Sequence, residues 1–188
     1  MSEGEIVIDE VDWVIAGARV PARITRRPGS IGQAQSAPAA LLLHGLGASK
    51  EVQQKEASSL ACAGLVAVSV DAPHHGARRT PLLDEIAAAT GAAAHELFLR
   101  MLREAIAEVP LLVDHLRREG CGPIGVIGIS MGAYAALGAA AADPRIEAVV
   151  SILGSPEWSP PHGEISAAAR AWMSEAPVYR PERFPPRA

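Results

Sequence analysis

The chain has 188 residues, 49% of them hydrophobic, so it can bury one sizeable core and is too short for two full domains. Its formal net charge of −4, with only 20% charged residues, provides no basic field for nucleic acid, and that partner is not expected. Two cysteines without C-x-x-C spacing argue against a disulfide framework and a zinc site, and we expect no metal and no cofactor.

The N-terminal region predicts an antiparallel hairpin. The acidic start MSEGEIVIDE lacks the basic residues and the apolar core of a secretory signal, which favours a cytoplasmic location. Residues 5–27 then contain two β-rich stretches joined around Gly17, a pattern typical of a hairpin. A polar loop of small residues is predicted from residue 28 to residue 38.

Residues 39–71 have the pattern of a βαβ unit. An apolar run at residues 39–44 leads into HGLGAS, and residues 50–63 have a helix-forming composition ahead of Gly64, which is placed to cap the helix. A second apolar run, LVAVSVD, follows at residues 65–71. Such a crossover requires parallel strands.

The middle of the chain predicts a loop and then a long helix. Residues 77–91 show no clear periodicity, so we expect irregular, exposed structure there. From about His95, apolar residues recur at helical spacing, and Pro110 should kink or split the helix because it removes a backbone donor. The predicted apolar face comprises Phe98, Met101, Leu102, Ala105, Val109, Leu112, Val113 and Leu116.

The stretch from residue 121 to residue 142 carries no charged side chain and is long enough to suggest a membrane span. Pro123 and several glycines interrupt it, and β-branched residues give way to alanines halfway. We therefore predict a buried strand at residues 123–129 and a buried helix at residues 130–142, with no membrane span. Another strand is predicted at residues 146–153.

The segment Gly128-Ile129-Ser130-Met131-Gly132 fits G-x-S-x-G and lies between a predicted strand and a predicted helix, as the mechanics of that motif require. Glycines are needed because larger flanking side chains would collide with neighbouring backbone in so sharp a turn. Ser130 is therefore the candidate nucleophile. The alternative is an ordinary glycine-rich turn without chemistry.

LLLHGLG, DAPHHG and GISMG occur in the order found in α/β-hydrolases, and residues 39–155 resemble that family, in particular small bacterial serine carboxylesterases related to dienelactone hydrolases. The resemblance implies an α/β fold with a mostly parallel sheet, helices on both faces and an N-terminal antiparallel hairpin. It also implies an acyl-enzyme mechanism on small esters, with an oxyanion hole formed by the backbone amides of Leu46 and Met131. His44 would be structural, and Asp71 would brace a loop.

The remaining triad members are harder to place. The family order is serine, then acid, then histidine, and His162 is the only histidine after Ser130. His162 with Glu157 could complete a makeshift triad, and Trp158 could line the acyl pocket. The alternative is that all three belong to a solvated cap segment.

We expect residues 1–188 to form a single α/β-hydrolase domain that lacks its last strands, with residues 154–188 as a cap-like or extended tail. The first functional hypothesis is a serine carboxylesterase that is truncated or completed from outside this chain. The second is a non-catalytic remnant that binds a ligand or forms a homodimer through the exposed edge of the strand at residues 146–153. Nothing in these residues separates ester from thioester or peptide substrates.

Overall fold

The computed structural model describes residues 5–30 and 37–155, together with residues 166, 167, 170 and 171. Within these residues, six strands form one sheet. The strands are β1 (Val7–Ile15), β2 (Ala18–Arg26), β3 (Ala39–Leu43), β4 (Val66–Val70), β5 (Ile124–Ile129) and β6 (Ile146–Ile152). The helices are α1 (Gln54–Cys62), α2 (Leu82–Ala88), α3 (Gly91–Arg118) and α4 (Met131–Ala142), with short 3₁₀ turns at Lys50–Gln53 and Gly76–Arg78.

The sheet has the order β1-β2-β4-β3-β5-β6. β1 and β2 form the predicted antiparallel hairpin, and β2 joins the rest of the sheet through an antiparallel pairing with β4. β4, β3, β5 and β6 are parallel to one another. The mostly parallel sheet and its opening hairpin are therefore confirmed.

Helices cover both faces, as the alternation of side chains in β3 shows. Leu41 and Leu43 pack into the main core, to which α3 and α4 contribute. Ala40 and Leu42 point the other way and pack with Ala57 of α1. Because successive side chains of a strand alternate between faces, α1 lies opposite α3 and α4. The prediction of helices on both faces is confirmed.

The expectation of irregular structure between residues 77 and 91 is wrong in part, because α2 lies there. Pro81 precedes its first turn with a φ of −57°, which suits the start of a helix. Leu82 and Ile86 of α2 are buried in a small cluster with Met101 and Met131. This tertiary packing stabilises a helix of 7 residues that would be marginal in isolation.

The long helix begins earlier than predicted and is not split. α3 runs for 28 residues from Gly91 to Arg118 with Pro110 inside it. The buried residues on both sides of Pro110, among them Val109 and Leu112, belong to one core cluster. Their continuous apolar contact holds the helix together across the missing backbone hydrogen bond.

The apolar stretch at residues 121–142 divides into β5 and α4, as its punctuation predicts. In the parts of the chain described above, no helix combines the length and apolarity needed to span a membrane. The predicted absence of the fold's last strands concerns the tail after residue 155, which is nearly all outside the described residues.

Candidate active site

Ser130 occupies a sharp turn between β5 and α4. Its φ of 52° and ψ of −118° are unusual for a residue other than glycine, and it is the N-cap residue of α4. Its amide donates a hydrogen bond to the Ile152 carbonyl (2.8 Å), and its own carbonyl accepts from the amides of Ala133 (2.8 Å) and Tyr134 (3.1 Å). The backbone of Ser130 is thus fixed from both sides in a conformation that costs free energy.

The flanking glycines are required by the backbone around them. A Cβ atom at Gly128 would lie closer than 3.0 Å to the backbone of Gly132, and one at Gly132 would overlap the carbonyl oxygens of Leu43 and His44. The first turn of α4 therefore lies directly on the end of β3. This contact brings the loop after β3 beside Ser130.

That loop contains Leu46. β3 and β5 are parallel in the register Leu43 to Gly128, so the next steps place Gly45 beside Ser130. A Cβ atom on Gly45 would lie 3.5 Å from the Cβ atom of Ser130. The loop turns at Gly47, whose φ is +75°. Within the described part of the chain, the amide of Leu46 and that of Met131 donate to no protein acceptor.

His44 and Asp71 hold this loop against the one after β4. His44 donates from Nδ1 to the Gly45 carbonyl (2.8 Å), and its Nε2 accepts from the Ala72 amide (3.1 Å). Burial lowers the pKa of His44, so the neutral ring that this acceptor role requires is favoured. The Asp71 carboxylate accepts from the amides of Lys50 and Ala77, both at 2.9 Å.

His75 and Gly76 complete this loop contact. His75 is fully buried, donates from Nδ1 to the Pro73 carbonyl (2.8 Å) and has its ring centroid 5.0 Å from that of His44. Gly76 has a φ of +52°, and any Cβ there would overlap the carboxylate of Asp71. These contacts position the loops, and they occupy both ring nitrogens of His44 and Nδ1 of His75.

None of the histidines in residues 37–155 hydrogen-bonds to the Ser130 hydroxyl. His74, which sequence reasoning did not single out, bridges the Thr80 hydroxyl and the Glu104 carboxylate at 2.7 Å each and so ties the β4 loop to α3. The candidate triad partners His162 and Glu157, and the candidate pocket residue Trp158, lie outside the described residues.

The described residues contain no group of three or more histidine, cysteine, aspartate or glutamate side chains arranged to hold a metal ion.

Leu153 has an unusual conformation that the sequence analysis did not predict. It follows β6 directly, is 82% exposed and has a φ of 58°. Neither a glycine nor an asparagine marks this position in the sequence, so no local signal predicts the left-handed conformation.

The fold is an α/β fold, with a sharp strand-serine-helix turn at Ser130, which is half-buried. The sequence model of the alpha/beta hydrolase family matches residues 40–188, and the chain therefore belongs to that family. A relative from Bacillus subtilis (strain 168), named "Putative esterase YitV", is 35% identical over 127 residues, which make up 66% of this chain and 47% of that protein. The chain thus spans about half the length of this curated relative.

Solved structures show the same fold. A cold-adapted esterase from an Arctic intertidal metagenomic library superposes with a TM-score of 0.57 at 24% identity, covering 77% of this chain and 59% of the esterase. A protein titled "Putative Dienelactone Hydrolase" from Klebsiella pneumoniae subsp. pneumoniae MGH 78578 superposes with a TM-score of 0.65 at 17% identity, covering 88% and 65%. At these identities the likeness concerns the fold.

Proposed function

We propose that this chain is the nucleophile-bearing part of a serine carboxylesterase that acts on small esters. The observation that carries the proposal is the conformation of Ser130, a non-glycine residue held at a φ of 52° between a strand and a helix. Strained backbone of this kind concentrates at functional sites. The relationship to YitV, named as an esterase, supports ester hydrolysis as the reaction.

In the proposed reaction, Ser130 Oγ attacks the carbonyl carbon of the ester, and its proton passes to a base. The carbonyl oxygen becomes an oxyanion, which accepts hydrogen bonds from the amides of Leu46 and Met131. Two features support this role: both amides lack a protein acceptor in the described structure, and the N-terminus of α4 adds partial positive charge. When this tetrahedral intermediate breaks down, the bond between the carbonyl carbon and the alcohol oxygen breaks, and the alcohol leaves with a proton from the base. Water then hydrolyses the acyl-enzyme, which releases the acid and frees Ser130.

The base in this proposal is a histidine outside the described residues. His162 with Glu157 as its acid is one arrangement, and a later acid and histidine supplied from outside this chain is the other. Labelling of a His162→Asn variant with a fluorophosphonate separates them. A large loss of labelling rate assigns the base to His162, whereas an unchanged rate excludes His162 as the base. A serine without its base keeps only roughly 10³- to 10⁴-fold catalysis over water.

Hydrolysis of p-nitrophenyl acetate tests the proposal, with Ser130→Ala as the key variant. Ser59→Ala is the matched control, because among the described residues the Ser59 hydroxyl bonds to nothing except the Lys55 carbonyl within α1. We expect turnover by the unmodified chain and by the control, and none above background from Ser130→Ala. Equal turnover by Ser130→Ala would refute the proposal. Thioester and amide analogues in the same assay define the leaving group.

A second candidate function is a non-catalytic one, in which the chain pairs with another copy through β6, the edge strand of the sheet formed by the described residues. It is favoured by the position of β6 at that edge, where the side chains of Val150 and Ile152 are 48% and 42% exposed. An apolar groove of about 460 Å³ lies beside β6 on the α1 face. Sedimentation equilibrium distinguishes the two: a stable, inactive dimer supports the second function, and an active monomer excludes it.

A further inference from the structure

The carboxyl ends of β3, β5 and β6 place three residues in one row. The register Leu43 to Gly128 continues to Gly45 and Ser130, and the register Ile129 to Ile152 continues to Ser130 and Leu153. Neighbouring strands lie about 4.8 Å apart, so the row is short. Ser130 therefore has a residue without a side chain on one side and a leucine on the other.

Leu153 combines two unusual properties. Its φ of 58° lies in the left-handed region, where a branched aliphatic residue is strained. Its side chain is 82% exposed, so no burial within the described structure compensates for that strain. A single exposed leucine is common on protein surfaces and indicates no function. Backbone strain in an exposed leucine next to the candidate nucleophile does indicate a functional position.

The backbone around Leu153 fixes where it lies. The Ser130 amide donates to the carbonyl of Ile152, immediately before Leu153. Immediately after it, a Cβ atom at Gly154 would overlap Ala133 in the first turn of α4. The residues before and after Leu153 are therefore both held against the turn at Ser130, and Leu153 lies next to that turn.

The chain segments that follow the two strands flanking β5 carry exposed aliphatic residues. Leu46 is 41% exposed and Ile152 is 42% exposed, and with Leu153 they belong to the ends of β3 and β6, the strands that flank β5. Exposed apolar surface grouped around a polar centre is typical of a ligand site. A charged substrate group would find no opposite charge on these three side chains.

We propose that Leu153 is a specificity-determining residue that contacts an aliphatic group of the ester bound at Ser130, opposite the side chain of Leu46. The proposal rests on the proposed esterase function and narrows its substrates to esters with an extended aliphatic chain. Gly45, on the other flank of Ser130, leaves room for the ester carbonyl. The aliphatic group belongs either to the acyl part or to the alcohol part of the ester.

Chain-length selectivity tests this proposal in a Leu153→Asn variant, since asparagine is polar, similar in size and tolerant of the left-handed region. The acyl arm compares p-nitrophenyl octanoate with p-nitrophenyl acetate, and the alcohol arm compares octyl acetate with ethyl acetate. We expect the long-to-short ratio of kcat/KM to fall about tenfold in one of the two arms. Val14→Thr is the control, because Val14 is 77% exposed on the outer strand β1, and its ratio should not change.

The thermal midpoint separates a binding role from a structural one. Because Leu153 is strained and exposed, Leu153→Asn and Leu153→Gly should unfold at the same temperature as the parent chain or higher. A lower midpoint in both variants, or unchanged ratios in both arms, overturns the proposal. If the ratios stay unchanged while hydrolysis still requires Ser130, only the Leu153 assignment fails. If the parent chain shows no Ser130-dependent hydrolysis, the esterase proposal fails with it.

Discussion

At positions 128 and 132 the backbone itself limits which residues the chain can accept. The G-x-S-x-G spacing predicted that larger side chains would collide there, and the colliding atoms are main-chain atoms of Gly132, Leu43 and His44. Main-chain atoms cannot rotate away as a flexible side chain can. The requirement for glycine is therefore stronger at position 128, at the turn to Ser130, than elsewhere in β5.

Two glycines of β5 provide a matched pair. We expect Gly128→Ala to lower the free energy of unfolding by about 3 kcal/mol or to prevent folding, because the new Cβ atom meets backbone. Gly125→Ala should change it by less than about 1 kcal/mol, since its Cβ atom would lie 3.5 Å from the nearest atom, an ordinary contact. Urea unfolding of both variants measures the difference, and similar stabilities would contradict the steric account.

Protonation of His44 should destabilise the fold. Burial lowers its folded pKa below the unfolded value of about 6.5, so between these two values only the unfolded chain binds the proton. The contribution of neutral His44 to the free energy of unfolding is fully present above pH 6.5, and it is lost as the pH falls through the folded pKa. Burial lowers the pKa values of His75 and His115 in the same way, and they add to the trend.

Replacing His44 with glutamine measures how much His44 contributes to the pH dependence of the free energy of unfolding. The glutamine carbonyl can accept the Ala72 amide as Nε2 does, but it does not titrate. We expect the free energy of unfolding of His44→Gln to fall less between pH 7.5 and pH 5 than that of the parent chain. Identical losses in both proteins would show that His44 does not couple to folding.

Two loops at the carboxyl edge of the sheet depend on one carboxylate. Asp71 is 1% exposed and joins the amides of Lys50 and Ala77, which belong to the loops after β3 and β4. A buried carboxylate that accepts two backbone amides cannot be replaced by a group with one acceptor without loss. The position of the loop that contains Leu46 therefore depends on a residue that follows a different strand, β4.

An Asp71→Asn variant should be less stable by about 1–3 kcal/mol, since the amide nitrogen of asparagine would face a backbone N–H. Asp84→Asn is the control, because Asp84 pairs with Arg79 on the surface and such pairs contribute about 0–1 kcal/mol. Chemical denaturation at neutral pH measures both. Equal losses would show that Asp71 does not hold the loops.

Pro110 lies inside α3 and leaves one backbone carbonyl of the preceding turn without its helical donor. We expect Pro110→Ala to raise the free energy of unfolding by about 1–2 kcal/mol, after allowance for the greater freedom of the unfolded chain. Thermal and urea unfolding test this. A clear decrease would mean that the core around Val109 requires the bend that proline imposes.

Across the whole molecule, the elements with strong periodic patterns could be predicted. The hairpin, the βαβ unit and the strand-serine-helix turn depend on short-range alternation and on glycines at fixed spacing, which are visible in one sequence. α2 could not be predicted in this way, because its 7 residues depend on packing against Met101 and Met131. The left-handed conformation of Leu153 could not be predicted either, because it depends on tertiary contacts of the residues on both sides of it.

The candidate site was predictable to a similar degree. The motifs locate Ser130 and the loop of Leu46, because parallel strands bring their carboxyl ends to one edge. The pairing of Asp71 with the Lys50 and Ala77 amides required coordinates, since residues far apart in sequence meet there. The base stays a prediction, as His162 and Glu157 lie outside the described residues.

Covalent labelling of Ser130 is the most direct measurement of whether this molecule holds an activated serine. The folded protein is incubated with a fluorophosphonate and then digested, and the modified peptide is identified by mass spectrometry. We predict one adduct per chain, located on Ser130 and absent from Ser130→Ala, with labelling of Ser59→Ala unchanged. A folded protein that forms no adduct, or forms the same adduct in Ser130→Ala, would contradict this prediction.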